Sequence, residues 1–309
     1  METTRRMNTT RRTSTATSTT VVIARSEDLS GKMLGGYRLT QRLAQGGSGA
    51  IYTAQNPRYK APVAVKIIHA ENAKKKKDVE GLTREYEMGR SLSHPGILKY
   101  YDFGNYSGRP FMVMEYFPGR TFTALYRGAE TCKAVRRRER EIFTQMAEIV
   151  NYLHGQKIVH LDLKPDNFML DLEGNQLKLL DFSVSERVQS SFRALFSFGG
   201  RDIVGTPTYM SPEHIEKKRP QPAMDIYSFG VMLYEYFAGR PPFVGATQNA
   251  VLNQILQTPP PPLSRFNPGV SQELEQLVNR MLAKKPEARP VSMGHFINTF
   301  NRIHLYRET

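Results

Sequence analysis

Residues 160 to 167 read His160-Leu161-Asp162-Leu163-Lys164-Pro165-Asp166-Asn167, and this octet constrains the chain more than any other stretch. Ile158 and Val159 lead in, and Phe168, Met169 and Leu170 lead out. That pattern predicts a polar loop pinned between two buried strands, with its acids and lysine exposed at a cleft. Asp162 could accept the proton of an attacking hydroxyl, Lys164 could neutralise a transferring phosphoryl group, and Asn167 could offer a carbonyl oxygen to a metal. The competing reading is a plain polar turn between two short strands, so the rest of the chain must decide.

The octet resembles the catalytic loop of the eukaryotic-type protein kinases, whose pattern HRDxxxxN it matches at every fixed position but Leu161, where arginine usually stands. From Tyr37 to Thr53, apolar residues alternate on either side of Ala44-Gln45-Gly46-Gly47-Ser48-Gly49. This is the pattern of two strands joined by a glycine-rich turn, whose backbone amides can approach phosphates with no side chain in the way. Val63-Ala64-Val65-Lys66 follows and resembles the strand lysine that grips the α and β phosphates of ATP. The family's first glycine is Ala44 here, which implies a slightly stiffer or displaced loop. Val79 to Leu92 has helical periodicity. Glu85 stands nine residues before His94-Pro95, as the family's helix glutamate does, and is expected to pair with Lys66; Glu87, on another face, is the alternative.

Phe111 to Gly119 resembles the last small-lobe strand running into the hinge. The resemblance implies that the Glu115 carbonyl and the Phe117 amide read adenine. Met114 stands behind the base, Ile51, Ala64 and Met169 form apolar walls, and Leu43 through Gly49 cover the phosphates. Ile142, Phe143, Met146, Ile149, Val150 and Leu153 fall at helical spacing within Glu139 to Leu153 and predict the helix leading to the octet. Leu177-Lys178-Leu179-Leu180-Asp181-Phe182-Ser183 resembles a strand ending in the DFG motif, which implies that Asp181 and Asn167 hold the metal. Serine replaces its glycine, which is compatible with a turn of negative φ. Gly205 to Glu213 resembles the end of an activation segment, with Thr206 framing the acceptor pocket. Asp225 to Gly230 resembles the start of the central buried helix, with Tyr227 for the common tryptophan, and Arg289 is placed to pair with Glu213.

Composition excludes other classes. A chain of 309 residues, 39% hydrophobic, can bury one large or two small cores. Cys132 is the single cysteine, so an internal disulfide is impossible and a cysteine-rich zinc site is disfavoured, in keeping with a reducing cytoplasm. No stretch approaches the ~18 apolar residues of a spanning helix. The formal charge of +14 favours phosphates, acidic partners or anionic surfaces, but no reading helix or aromatic platform suggests specific nucleic-acid binding. Residues 1 to 20 hold nine threonines, two serines and four arginines, a composition that predicts a disordered tail over 1–30, open to self-phosphorylation or to use as a targeting segment. Lys74 to Lys77 reads as a solvated run and Pro259 to Pro262 as a rigid connector.

The motifs run in order from Ala44 to Arg289, and the chain is identified as a member of the eukaryotic-type serine/threonine kinases. Tyr209-Met210-Ser211-Pro212-Glu213 and Gly239-Arg240-Pro241-Pro242-Phe243 most resemble the bacterial branch. The expected fold is α+β and two-lobed: a five-stranded antiparallel small lobe over 37–117 and a mainly helical large lobe over 118–307, in a cytoplasmic or truncated form. The implied activity is transfer of the ATP γ-phosphate to serine and threonine hydroxyls of protein substrates with Mg²⁺, Mn²⁺ being an alternative. Lys66, Glu85, Asp162, Lys164, Asn167 and Asp181 would carry it. A pseudokinase scaffold is the competing class, suggested by Ala44 and Ser183. Two departures bear on regulation. Gly89 stands where the family usually has an apolar residue stacked with Phe182 and His160, which predicts a loosely held helix around Glu85. Leu161 cannot bind a loop phosphate, and residues 198–205 have no hydroxyl to carry one. This predicts a non-RD enzyme whose segment is anchored by Leu195, Phe196, Phe198 and Ile203. The alternative is that Arg187, Arg193 or Arg201 serves a phosphate on Ser185, Ser190, Ser191 or Ser197.

Overall fold

The computed structural model describes residues 27–188 and 207–308. A six-stranded antiparallel sheet opens the chain: β1 (Met33–Leu34), β2 (Tyr37–Gln45), β3 (Gly49–Gln55), β4 (Val63–Ile68), β5 (Tyr100–Tyr106) and β6 (Arg109–Glu115), in the order β1-β2-β3-β4-β6-β5. Between β4 and β5 runs helix α1 (Lys76–Arg90), close to the helix expected from Val79. The period of two in β4 and β6 decides which side chains reach the cleft. Val63, Val65, Ile67, Phe111 and Val113 turn to an outer core with Leu29, Leu34, Tyr37 and Tyr52. Ala64, Ile68, Met112 and Met114 turn the other way and join the core that continues into the large lobe, and Lys66 shares their face of β4.

The folded unit starts earlier than the expectation at Tyr37, and the sheet has six strands where five were expected. Leu29 and Leu34 are fully buried, and the Leu29 amide donates to the Tyr52 hydroxyl at 3.1 Å. These two apolar residues follow a long polar tail, so no periodic pattern marks them in the sequence.

The large lobe begins with β7 (Arg120–Thr121), then α2 (Phe122–Tyr126), α3 (Cys132–Arg137) and α4 (Glu139–Gly155). Strands β8 (Ile158–Val159), β9 (Phe168–Asp171), β10 (Gln176–Leu179) and β11 (Glu186–Arg187) frame the octet, in sheets ordered β10-β9-β7 and β11-β8. Helices α5 (Pro212–Ile215), α6 (Pro222–Ala238), α7 (Gln248–Gln257), α8 (Gln272–Met281) and α9 (Met293–Phe300) follow. Every residue of α6 from Met224 to Phe237 is buried, the mark of a helix that is itself the core. Proline at its first position and Gly239 at φ +72° just past its end bound it in the way helix termini favour. Among the described residues no helix is long and apolar enough to cross a membrane.

Candidate active site

Asp225, at the buried start of α6, holds the octet by its backbone. Its carboxylate accepts the amides of His160 at 2.8 Å and Leu161 at 2.9 Å, and meets the His154 ring at 2.9 Å. Burial would push that carboxyl up, but hydrogen bonding and charge from His154 and His160 hold it below its ordinary value. Leu161 sits at φ +68°, in the left-handed region that costs a non-glycine residue about 1 kcal/mol or more. Its side chain is buried with Val159, Met224 and Val184, which offsets that strain.

Beyond this pinned turn, Asp162 projects into the cleft. Lys164 Nζ donates to Asp162 Oδ2 at 2.6 Å, and Asn167 Nδ2 donates to the same oxygen at 3.0 Å and to the Asp162 carbonyl at 2.7 Å. The Leu180 amide donates to the Asn167 carbonyl at 2.8 Å, which ties the octet to the residue just past β10. Asp181 follows at φ +61°, and its Oδ1 accepts the Ser183 amide at 3.1 Å. Here the left-handed residue is Asp181 and not Ser183, which is why serine is tolerated where the family has glycine. Phe182 is fully buried and packs edge-on against His160 at 5.4 Å between centroids.

From the sheet side, Lys66 Nζ meets Glu85 Oε2 at 2.6 Å, while Glu87 is exposed. Burial pushes the Glu85 carboxyl up to about 7 despite the Lys66 charge, with Asp181 adding repulsion. Burial would lower Lys66, but Glu85 and Asp181 hold its proton and raise it. The Asp181 carboxyl stays below its ordinary value because Lys66 and Ser183 outweigh burial. The cleft encloses about 470 Å³, lined among others by Ser48, Gly49, Lys66, Glu85, Asp162, Lys164, Asp181 and Ser183.

The glycine-rich turn closes with the Gly46 amide on the Gly49 carbonyl at 2.9 Å. A Cβ on Gly49 would lie 2.3 Å from the Ile67 carbonyl oxygen, so β3 and β4 approach too closely for any other residue. Ala44 lies within β2 opposite Ile51, before the turn itself; Leu43 and Gln45 flank it in the strand, and Gly47 and Ser48 complete the turn. Sequence reasoning passed over His69, whose ring meets the Gly46 carbonyl at 3.0 Å and whose amide bonds Ser48 at 3.0 Å, anchoring the turn.

The residues expected against adenine, Ile51, Ala64, Met114, Glu115, Phe117 and Met169, lie outside the lining of that cavity. Ala64 faces Met114 across β4 and β6, Phe117 is buried, and Met169 lies in β9. Lys178, also overlooked, is buried and bonds the Glu115 carboxylate at 3.1 Å and 3.2 Å. A lysine inside the apolar run Leu177 to Leu180 needs a buried acid, and that was the available signal. Among the described residues no three His, Cys, Asp or Glu cluster as a metal site. Asp181 and Asn167 fit Mg²⁺ in another way. Asn167 commits its amide nitrogen to Asp162 and leaves its oxygen as a hard donor, and Mg²⁺ takes few protein oxygens, completing its shell with phosphate and water.

The notch at Gly89 corrects an expectation: it is not a gap. The Tyr100 ring stands where a side chain at 89 would be. Ser185 is buried and donates to the His160 carbonyl at 3.1 Å, which removes it from the candidate phosphate acceptors. Arg289 and Glu213 form a bidentate pair at 2.5 Å and 2.8 Å. Thr206, Arg193, Arg201, Ser190, Ser191, Ser197 and the anchors Leu195, Phe196, Phe198 and Ile203 lie outside the described residues, as does the tail to 26.

The architecture is a protein kinase fold, an antiparallel sheet lobe joined to a helical lobe. The protein kinase domain model matches residues 37–299, and the chain belongs to that family. It is 33% identical over 282 residues to serine/threonine-protein kinase Pkn1 of Myxococcus xanthus, covering 90% of this chain and 39% of the relative. It is 30% identical over 274 residues to serine/threonine-protein kinase PknB of Mycobacterium tuberculosis, covering 87% of this chain and 43% of the relative. The chain thus spans about two fifths of the length of these curated relatives. The crystal structure of the PknI kinase domain of Mycobacterium tuberculosis superposes with a TM-score of 0.66 at 25% identity, over 88% of this chain and 98% of that one.

Proposed function

We propose that this chain is a protein serine/threonine kinase that transfers the γ-phosphate of ATP to hydroxyls of protein substrates with Mg²⁺. The observation that carries the reading is the Lys66–Glu85 pair facing Asp162, Lys164 and Asp181 across one cleft. Asp162 orients the acceptor hydroxyl and takes its proton; Lys164 and Lys66 stabilise phosphate charge; Glu85 keeps Lys66 in place; Asp181 and Asn167 are the metal ligands. When bound, Mg²⁺ supplies neutralisation of the phosphate oxygens and fixes their geometry. The glycine-rich turn covers the phosphates, and the backbone of Glu115 and Phe117 reads adenine. The hydroxyl-rich residues 1–20 are acceptors for self-phosphorylation, and the chain works in the cytoplasm, where ATP is at hand. Radiolabel transfer from γ-labelled ATP to serine and threonine of a generic basic protein tests the reading. No transfer above an Asp162→Asn control would reject it in favour of a scaffold.

Glu85 gives this reading a pH signature. A carboxyl lifted to about 7 by burial takes up a proton as pH falls through 7, and the charged pair with Lys66 is then lost. We expect kcat/KM, which reports the free enzyme, to fall on the acid side with an apparent pKa near 7. Glu85→Gln should be less active and lack that limb; an unchanged limb in the variant would assign it to another group.

The same site reads as independent of activation-segment phosphate. In place of a guanidinium, Leu161 puts an apolar side chain among Val159, Val184 and Met224, and Ser185 is turned inward. Phosphatase treatment, with mass spectrometry to establish that residues 185–208 carry no phosphate, should leave the initial rate on an added substrate within about twofold. A tenfold fall, about 1.4 kcal/mol of transition-state stabilisation, would instead show a phosphate switch.

A further inference from the structure

The cleft does not end at its catalytic residues. Beyond Asp162 and Lys164 its lining continues between elements of different lobes, with Lys77 and Arg84 from α1 and Met210, Ile215 and Lys217 from in and around α5. Lys74 to Lys77 are all exposed, as a solvated run would be, yet Lys77 lines the cleft. Lys217 and Lys218 form a second exposed basic edge just past α5. Few of these charges are matched. Lys76 meets Glu80 at 3.6 Å and Lys218 meets Glu216 at 2.6 Å, but among the described residues Lys74, Lys75, Lys77 and Lys217 have no carboxylate partner. The acids beside them are already engaged: Asp78 accepts from Asn72 Nδ2 at 2.7 Å, and Glu80 has Lys76. Arg84 donates only to the Ser183 carbonyl, at 3.3 Å. Cations at the positive start of a helix cost α1 stability rather than supply it, so the fold does not account for the lysine run.

We propose that this extension of the cleft selects acidic protein segments: with the acceptor hydroxyl at Asp162, carboxylates a few residues away lie between Lys77 of the small lobe and Lys217 of the large lobe. The substrate class rests on the phosphotransfer reading; the anion-binding edges do not. An ammonium on a flexible stem engages a carboxylate without fixed geometry, so the edges read charge rather than a strict sequence. Both edges are open to water, so the attraction acts mainly on substrate capture and weakens with salt. A basic protein at high concentration therefore remains a substrate of lower affinity, and the arginine-rich residues 1–20 reach the site by tethering, not by charge.

The test uses one serine peptide in three forms: neutral flanks, three glutamates before the acceptor, and three glutamates after it. At low salt the better acidic form should exceed the neutral form about tenfold in kcat/KM, and raised salt should shrink that advantage. Lys77→Gln with Lys217→Asn removes both charges, asparagine being chosen because Lys217 stands at φ +56°. This double variant should lose most of the advantage and each single variant part of it. Lys133→Gln, an exposed lysine of α3 outside the cavity, should keep it. Fluorescence anisotropy of the same peptides, labelled and with alanine in place of the acceptor serine, should give the same order of affinities without nucleotide. Equal kcat/KM for all three forms, in a wild type that transfers phosphate, would overturn the acidic preference and leave the kinase reading standing. So would an advantage that survives in the double variant, or a rise in KM for ATP that slows all three forms alike. Acidic-peptide binding present in wild type and lost in the double variant, in a protein that transfers no phosphate, would keep the anion-binding edges and reject the kinase reading.

Discussion

Asp162→Asn should lower turnover by about 10²–10⁴-fold while leaving ATP affinity within about twofold, because a positioned general base contributes that range and touches the acceptor, not the nucleotide. At 1.36 kcal/mol per decade, the loss corresponds to about 3–5 kcal/mol of transition-state stabilisation. The surroundings predict a clean experiment. The octet is held by Asp225 on backbone amides, by Ser185 on the His160 carbonyl and by Asn167 on the Asp162 carbonyl, none of which involves the Asp162 carboxylate. Asparagine keeps the shape and one acceptor oxygen for Lys164. The fold should therefore persist and the melting temperature move little. Single-turnover transfer from labelled ATP, with nucleotide binding measured separately, checks the split. A variant retaining more than a tenth of wild-type turnover would remove Asp162 from the base role and point to positioning alone.

Polar chemistry was legible in the sequence and shape complementarity was not. Lys66 alternates with apolar residues inside β4, and Asp162, Lys164, Asn167 and Asp181 stand in loops or just past a strand between apolar runs, so residue type and periodicity together say which way they face. Glu85 against Glu87 needed helical phase as well, and phase is readable over the turns of α1. The notch at Gly89 is different in kind. A missing side chain looks like a lost contact until the ring that replaces it is located, and Tyr100 lies on another element with no local pattern linking the two. Lys178 on Glu115 and His69 on the glycine-rich turn are likewise tertiary pairings between segments far apart in sequence. Leu161 shows the reverse case. Its identity excludes phosphate binding at once, but its burial with Met224 depends on where α6 lies.

Arg289→Met should cost about 3–5 kcal/mol of stability, the range for removing one partner from a buried ion pair. Arg289 and Glu213 are 2% and 1% exposed, so water cannot replace what either loses. The guanidinium also donates to the carbonyls of Ala283 at 2.8 Å, Ala223 at 2.7 Å and Lys284 at 3.2 Å, and lies 5.0 Å over the Tyr227 ring. Methionine fills the volume but answers none of these, leaving a buried carboxylate unpaired and three carbonyls each one donor short. Adding Glu213→Leu removes the stranded charge, and since apolar replacement of a whole buried pair is often near neutral, the double variant should recover part of the loss. Recovery should stop short of wild type, because the three carbonyls still lack the guanidinium donors. Urea unfolding at constant m-value would read all three states. If the single variant lost less than about 1 kcal/mol, the pair would be held against a desolvation cost nearly equal to its attraction, and the anchoring of α5 beside Tyr209 and Met210 would have to rest instead on Ser211 and the neighbouring packing.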